Sequence, residues 1–542
     1  MVTRRSPLRP PSKPRTRGEP ARPLRSNAGG AGGKRGDRDD RSDRSDRGDR
    51  RSGAPRGERA PFRDDRGGPA TRLPRGPRTE HDPRGPREPR SEDEIRRAGN
   101  DAGPSGPREP RIDAVVVDHL AWLLGAVLRF DGPGDAIMSR FFKEHPTLGS
   151  RDRSLIAEAC FHALRHYATL KWMMQPAQIA RAPRLAALIT LARQHGLDAL
   201  GPRELRGDQR AVANALTLDL RTVPGAVRAE LPLWLYALID AQYPDADALF
   251  TSMTEGAPLD LRVNGIKAGR DEVLAELRSG TREHAPVDAM PTRYSPEGIR
   301  LTEKPALTRW GVYRDGLVEV QDEGSQLIAR LLAPRRGEMV VDFCAGAGGK
   351  TLALGSLMRS SGRIYAFDIH AKRLAGFGPR LKRSGLSNVH PAAIASENDP
   401  KVKRLAGKID RVLVDAPCSG SGTLRRNPDL KWRFDEAELA RVNAVQHSVL
   451  RAAARLVRPG GRLVYATCSL LTVENQQVIE RFLQEHPEFV ALPAAEVLAQ
   501  QGITIEHADR FAPYFVMLPH LHGTDGFFGA VLERRRTAPG RA

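Results

Sequence analysis

Apolar positions change their spacing along the chain, and each change marks a new kind of structure. From about residue 113 to 255 the spacing is helical. Val116, Leu120, Leu123, Leu124, Val127 and Leu128 fall on one face of a 3.6-residue turn, as do Leu155, Ile156, Ala159, Cys160, Ala163 and Leu164. A further helical stretch runs from Val223 to Leu238 with breaks at Pro224 and Pro232. Short connections between such helices predict a bundle. From 256 to 332 the pattern is mixed. Leu259–Val263 alternates like a strand and stops at Asn264-Gly265, a turn signal; a helical piece follows at Asp271–Leu277, then strand-like pieces near 299–301 and 317–320. This predicts a small α/β connector. From 333 to 535 short apolar runs at 339–343, 363–368, 411–415 and 462–466 alternate with helical stretches such as 439–457. That alternation predicts a doubly wound, mostly parallel sheet. The fourth run is announced by Pro459-Gly460-Gly461.

The first 112 residues have no such period. They hold 33 Gly or Pro and one aromatic, Phe62. They cannot bury enough apolar surface to offset the entropy of ordering, so 1–112 is expected to be a disordered tail, and 536–542 a flexible end.

Charge sharpens this division. Of the net +20 carried by 542 residues, the first 112 contribute +12, from 30 basic and 18 acidic side chains. A basic surplus points to an anionic partner, most plausibly nucleic acid. The tail repeats Arg/Asp/Gly units (Arg38-Asp39-Asp40-Arg41, then Asp43-Arg44, Asp46-Arg47, Asp49-Arg50), which suit either weak RNA contacts or a solvated mixed-charge linker. The four cysteines are Cys160, Cys344, Cys418 and Cys468, none in a Cys-x-x-Cys pair. That argues against a zinc ribbon or a secreted disulfide scaffold, and no metal is expected. Cys160, on an apolar helical face, reads as a core residue. No apolar run nears the roughly 20 residues of a membrane span, and no apolar leader follows the N-terminus. The first 36 residues are Arg-rich, but their prolines argue against an amphipathic transit helix. A cytoplasmic protein without membrane contact is expected.

The chemistry gathers at the ends of the predicted strands. The first runs into Asp342-Phe-Cys-Ala-Gly-Ala-Gly-Gly-Lys-Thr351, whose small residues let the backbone approach a ligand at the start of a helix. It is not a P-loop, because Cys344 stands where that motif needs glycine. Asp368 ends the second strand, 20 residues past Gly348, where an acid can accept hydrogen bonds from ribose hydroxyls or cap a helix. Asp415-Ala-Pro-Cys418-Ser-Gly follows the third strand and Ala466-Thr-Cys468-Ser the fourth. In a doubly wound sheet both cysteines then face the crevice outside the strand ends. Two thiols without a third ligand make a poor metal site, and a nucleophilic thiol is the better reading. Position alone does not say which thiol attacks.

The runs Asp415-Ala-Pro-Cys-Ser-Gly-Ser-Gly-Thr423, Arg425-Arg-Asn-Pro-Asp-Leu-Lys-Trp432 and Tyr465-Ala-Thr-Cys-Ser-Leu-Leu-Thr-Val-Glu-Asn475 resemble the RsmB/Nop/Sun family of RNA cytosine-5 methyltransferases. Val320-Gln-Asp-Glu-Gly-Ser-Gln326 and Asp525-Gly-Phe-Phe-Gly-Ala-Val-Leu532 look like the same family, so the resemblance runs from about 255 to 535. The helical segment, with Leu148-Gly-Ser-Arg-Asp-Arg-Ser-Leu-Ile156, is similar to the NusB-like domain of the bacterial ribosomal RNA members. The resemblance implies a Rossmann-like methyltransferase core of the α/β class (333–535). Before it stand the α/β connector (256–332), an all-helical NusB-like RNA-binding domain (113–255) and the tail. It makes Cys468 the nucleophile at carbon 6 of cytosine, Cys418 the residue that assists product release, and Asp415 the group that hydrogen-bonds the base. It places Cys344, Ala345, Gly346, Ala347, Gly348, Gly349 and Lys350 along an S-adenosyl-L-methionine site, with Asp368 on the ribose and Asp415 alongside. It puts Arg425, Arg426 and Lys431 on RNA phosphate. It implies a monomer acting on RNA and not DNA, with small-subunit ribosomal RNA as substrate and transfer RNA as the alternative.

The chain departs from the family pattern in two places. Gly346-Ala347 replaces the usual Ala-Pro of the loop. The acid that family members carry near adenine would fall at Ile394 or Ala395, and after a register shift Ser396, Glu397 and Asn398 are the candidates to replace it. An enzyme that methylates an exocyclic amine would show Asn/Asp-Pro-Pro-aromatic where Ala416-Pro417-Cys418 stands. A non-catalytic assembly factor on this fold would be expected to lose a catalytic cysteine.

Overall fold

The structure, a computed structural model, describes residues 112–536. The predicted tail up to residue 111 and the end from 537 lie outside the described residues. Ile112, assigned to the tail, is buried and bridges Leu200.

The helical part opens with α1 (Ala114–Val127), where Asp113 accepts the N–H of Val116 at 3.0 Å as N-cap. It continues through α2 (Gly134–Glu144), α3 (Ser150–Arg165) and α4 (Pro183–His195). The apolar stripes noted above, Cys160 included, meet in one core with Phe141, Ile189 and Leu191. Pro224 and Pro232 sit at the entries to two helices rather than inside one, and the second of these is α5 (Leu233–Gln242), followed by α6 (Ala246–Thr254).

The connector is an antiparallel sheet in the order β2-β3-β1-β4, built from β1 (Leu259–Val263), β2 (Ala289–Pro291), β3 (Gly298–Leu301) and β4 (Val318–Val320). Helix α7 (Arg270–Ser279) places Val273, Leu274 and Leu277 against Leu261, Val263, Ile299 and Val318.

After α8 (Glu323–Leu332) the chain enters an eight-stranded sheet. Strands β5 (Met339–Asp342), β6 (Arg363–Asp368), β7 (Val389–Ala393), β8 (Ile409–Asp415) and β9 (Val457–Thr467) pair in parallel. Strands β10 (Phe489–Leu492), β11 (Phe515–Met517) and β12 (Phe527–Arg534) extend it antiparallel, giving β10-β12-β9-β8-β5-β6-β7 with β11 on β12. The order reverses between β5 and β8, the switch point at which doubly wound sheets open a crevice.

Three details differ from the sequence pattern. The helix expected to reach 457 ends at Ala454, and Val457 already pairs with Ile409. Pro459-Gly460-Gly461 lies within β9 as an irregularity, with Gly460 at φ 75°. Strand β7 has no alternation to betray it. It is an edge strand, which is where Pro391 can be tolerated.

Candidate active site

Four strand ends supply the crevice. The loop after β5 is fixed by backbone bonds: Phe343 N–H donates to Leu413 O at 2.9 Å, and Ala345 N–H to Phe367 O at 2.8 Å. Gly346 and Gly348 have φ of 55° and 82°, a region costly for a residue with a Cβ. At Gly348 a Cβ would also lie 2.1 Å from the ring of Phe377, which is fully buried. At Gly346 it would meet nothing within 4 Å, so this side of the loop is open. Helix α9 (Gly349–Leu357) begins immediately after.

Asp368 ends β6 with both oxygens engaged. Oδ2 accepts the N–H of Gly346 at 2.8 Å and Oδ1 that of His370 at 2.7 Å. It therefore shapes the glycine loop and also ties down the turn into α10 (Ala371–Ser384). Ile369, beside it, is exposed.

Lys350 reaches from α9 across to the end of β8, where its Nζ donates to Asp415 Oδ2 at 2.7 Å. Burial opposes the ammonium charge. Asp415 outweighs it and leaves the lysine above its ordinary range, with Cys468 and Asp342 adding to the effect. The Lys350 Nζ also lies 5.6 Å from the ring centre of Phe527. Beneath the loop, Asp342 accepts the hydroxyl of Thr351 at 2.6 Å, and burial pushes its carboxyl up to about 7. Burial likewise raises the Cys344 thiol, helped by Asp342, Asp415 and Asp368.

In the register of β8 against β9, Asp415 stands opposite Ala466. Cys418 and Cys468 follow three and two residues later, and their sulfurs come within 3.4 Å. The contact with Cys468 and burial hold the Cys418 thiol well above the ordinary range. The loops are cross-tied. Gly422 N–H donates to Cys468 O at 2.9 Å and Leu470 N–H to Ser421 Oγ at 2.9 Å. The helical part grips the same loop, with Tyr243 Oη donating to Leu470 O at 2.8 Å and Gln242 Oε1 accepting the N–H of Thr472 at 2.9 Å. Neither contact has a local sequence signal, since the partners lie some 230 residues apart.

The three residues expected on RNA phosphate all engage other parts of the chain. Arg426 donates to Asp525 Oδ2 at 2.6 Å, Asp322 Oδ2 at 2.8 Å and Pro258 O at 2.9 Å. Arg425 is buried against Thr524 O and Gly256 O. Lys431 is buried, donates to Arg165 O at 2.9 Å, and is pushed down to about 8 by burial. All three join segments of the chain to one another. The stretch expected near adenine is also engaged locally. Ile394 is buried, Glu397 Oε1 accepts from Ser448 Oγ at 2.8 Å, and Asn398 Oδ1 accepts from Arg455 at 2.9 Å.

A doubly wound sheet with a glycine loop at its switch point and an acid closing the second strand defines a methyltransferase-type core. Residues 329–533 match the family model described as 16S rRNA methyltransferase RsmB/F, and residues 231–308 match the ferredoxin-like domain described as Methyltr_RsmF/B-like. A protein of Synechocystis sp. named "Probable ribosomal RNA small subunit methyltransferase B" is 34% identical over 457 residues, covering 77% of this chain and 99% of its own. The "Ribosomal RNA small subunit methyltransferase B" of Sodalis glossinidius is 30% identical over 425 residues, covering 72% and 92%. Among solved structures, that titled "Crystal Structure of PH0851" superposes with a TM-score of 0.63 at 25% identity, covering 78% of this chain and all of its own. The chain belongs to the RsmB/F methyltransferase family. Among the described residues no helix is long and apolar enough to cross a membrane.

Proposed function

We propose that the protein transfers a methyl group from S-adenosylmethionine to carbon 5 of a cytosine in small-subunit ribosomal RNA, through a covalent bond to Cys468. The observation that carries this reading is the pair of thiols 3.4 Å apart beside the Lys350–Asp415 ion pair at one crevice. The names of the two relatives support the choice of RNA.

The residues fit the cofactor. The open face at Gly346, the carboxylate of Asp368 and the exposed Ile369 offer close backbone approach, a diol acceptor and an apolar face. When bound, S-adenosylmethionine supplies the electrophilic methyl group. Cys468 adds its sulfur to carbon 6, and the electron pair of the double bond makes carbon 5 nucleophilic while Asp415 holds a proton at the ring nitrogen. Lys350 keeps Asp415 oriented. Once carbon 5 is methylated, its proton leaves to a base, those electrons restore the double bond, and the carbon–sulfur pair departs with Cys468. Cys418 assists this release.

The test is methyl transfer from labelled S-adenosylmethionine to stripped small-subunit ribosomal RNA. Cys468→Ala is expected to abolish transfer, and Cys418→Ala to trap a covalent protein–RNA adduct. Transfer surviving Cys468→Ala would overturn the nucleophile, and preference for transfer RNA would overturn the substrate.

A further inference from the structure

A carboxylate that this reaction does not use lies behind the two sulfurs. Glu474 is fully buried. Its Oε1 accepts the N–H of Ser419 at 2.8 Å and Nε2 of Gln446 at 3.0 Å, and its Oε2 accepts the hydroxyls of Ser419, at 2.5 Å, and Ser469. Ser419 follows Cys418 and Ser469 follows Cys468, so one carboxylate fastens both sulfur-bearing loops. Gln446 also donates to Pro417 O at 2.8 Å, the carbonyl just before Cys418. Among the described residues no Lys, Arg or His pairs with Glu474. Four donors thus converge on one buried carboxylate.

The ties are asymmetric: the carboxylate takes both the backbone N–H and the hydroxyl of the residue after Cys418, but only the hydroxyl of the residue after Cys468. Cys418 faces Cys468, with Glu474 and the N–H of Gly420 close by, and Tyr465 shares the neighbourhood of Cys418, Glu474 and Cys344. Glu474 contributes to holding the Cys418 thiol high. Lys350, ion-paired with Asp415, is raised in part by Cys468. The two sulfurs, 3.4 Å apart, are within reach of one shared proton.

We propose that Glu474 is a positioning residue for the cysteine pair: its carboxylate ties the Cys418 loop to the Cys468 loop and directs their shared proton onto Cys418, leaving Cys468 free to attack. The inference rests on the methyl transfer proposed above, and two readouts separate them. The first needs no RNA. In full-length Cys468→Ser protein, alkylation of Cys418 by iodoacetamide is followed against pH by peptide mass spectrometry. Adding Glu474→Gln removes the charge while keeping an acceptor oxygen, and the alkylation midpoint is expected to fall by about one pH unit. An unmoved midpoint in the folded variant overturns the proton-directing role.

The second readout uses Ser469→Ala, which keeps the charge and cuts one tie. Single-turnover methyl transfer is expected to fall about tenfold with the Cys418 alkylation profile unchanged. Transfer at the full rate overturns the tie, and this arm decides the matter if Glu474→Gln does not fold. A wild-type protein that methylates no RNA would sink the proposed reaction, while the alkylation shift would still decide the role of the charge.

Discussion

Asp342 is fully buried and Arg426 half-buried, with opposite consequences. Burial lifts the Asp342 carboxyl from 3.8 to about 7, so the folded state holds its proton more tightly than the unfolded chain does. The sign follows from that difference. Below about pH 4 both states are protonated and the residue costs nothing. The cost grows as pH rises and is complete above about 7. Asp342→Asn keeps an acceptor for Thr351 and removes the cost. Its denaturant-unfolding free energy, relative to wild type, is expected to be about 1–3 kcal/mol larger at pH 8 than at pH 4; an equal difference at both would refute the assignment. Arg426, in contrast, neutralises two buried acids, and the pair holds it above the ordinary arginine range despite burial. Arg426→Ala leaves Asp322 and Asp525 unpaired and is expected to cost about 3–5 kcal/mol, measured as a shift in denaturation midpoint with no RNA present. The sequence presented Arg425, Arg426 and Lys431 as a basic run, the usual mark of a solvated or phosphate-binding surface. Their partners lie elsewhere, Asp525 and Asp322 being 99 and 104 positions from Arg426, so nothing local could reveal the burial. The loop residues Asp342 to Thr351 and Asp368 were legible because their spacing relative to strand ends carries the geometry.

At the level of elements, the glycine loop makes a sharp distinction between neighbours. Gly348→Ala drives a Cβ into the buried Phe377 ring and adopts a left-handed backbone. Titration calorimetry with S-adenosylmethionine is expected to show at least a tenfold loss of affinity, since each strained residue costs about 1–3 kcal/mol before any steric clash. Gly346→Ala pays only the backbone strain and is expected to lose less; equal losses would mean the Phe377 contact is irrelevant. Strands β1, β5, β6, β8 and β9 were visible as apolar runs because they pack on both faces or alternate cleanly. Strand β7 was hidden because an edge strand of Val389-His-Pro-Ala-Ala buries little. The bulge in β9 was hidden because proline and two glycines ordinarily end an element rather than bend one.

Across the whole molecule, function draws on segments far apart in the chain. The first 112 residues carry +12 of the net +20. Deleting residues 1–110 is expected to weaken RNA affinity most at low salt, as counterion release requires. Methylation at saturating RNA should persist, and its loss in a single-turnover assay would contradict a purely electrostatic role. Fold class was legible at this scale because period changes mark the helical, connector and sheet regions. The docking of Tyr243 and Gln242 on the Cys468 loop was not, because a single hydrogen bond across some 230 residues has no pattern. The position of β12 has a further consequence for how the protein is made. It enters between β9 and β10, not at a sheet edge, and the segment leading into it supplies Asp525 to Arg426. A ribosome that has synthesised everything up to residue 520 therefore holds a chain whose β9 is open along one side and whose Arg426 lacks one of its two acids. The sheet cannot close until β12 has been made, and for that interval the nascent chain exposes an unpaired strand edge of the kind that chaperones and neighbouring chains bind.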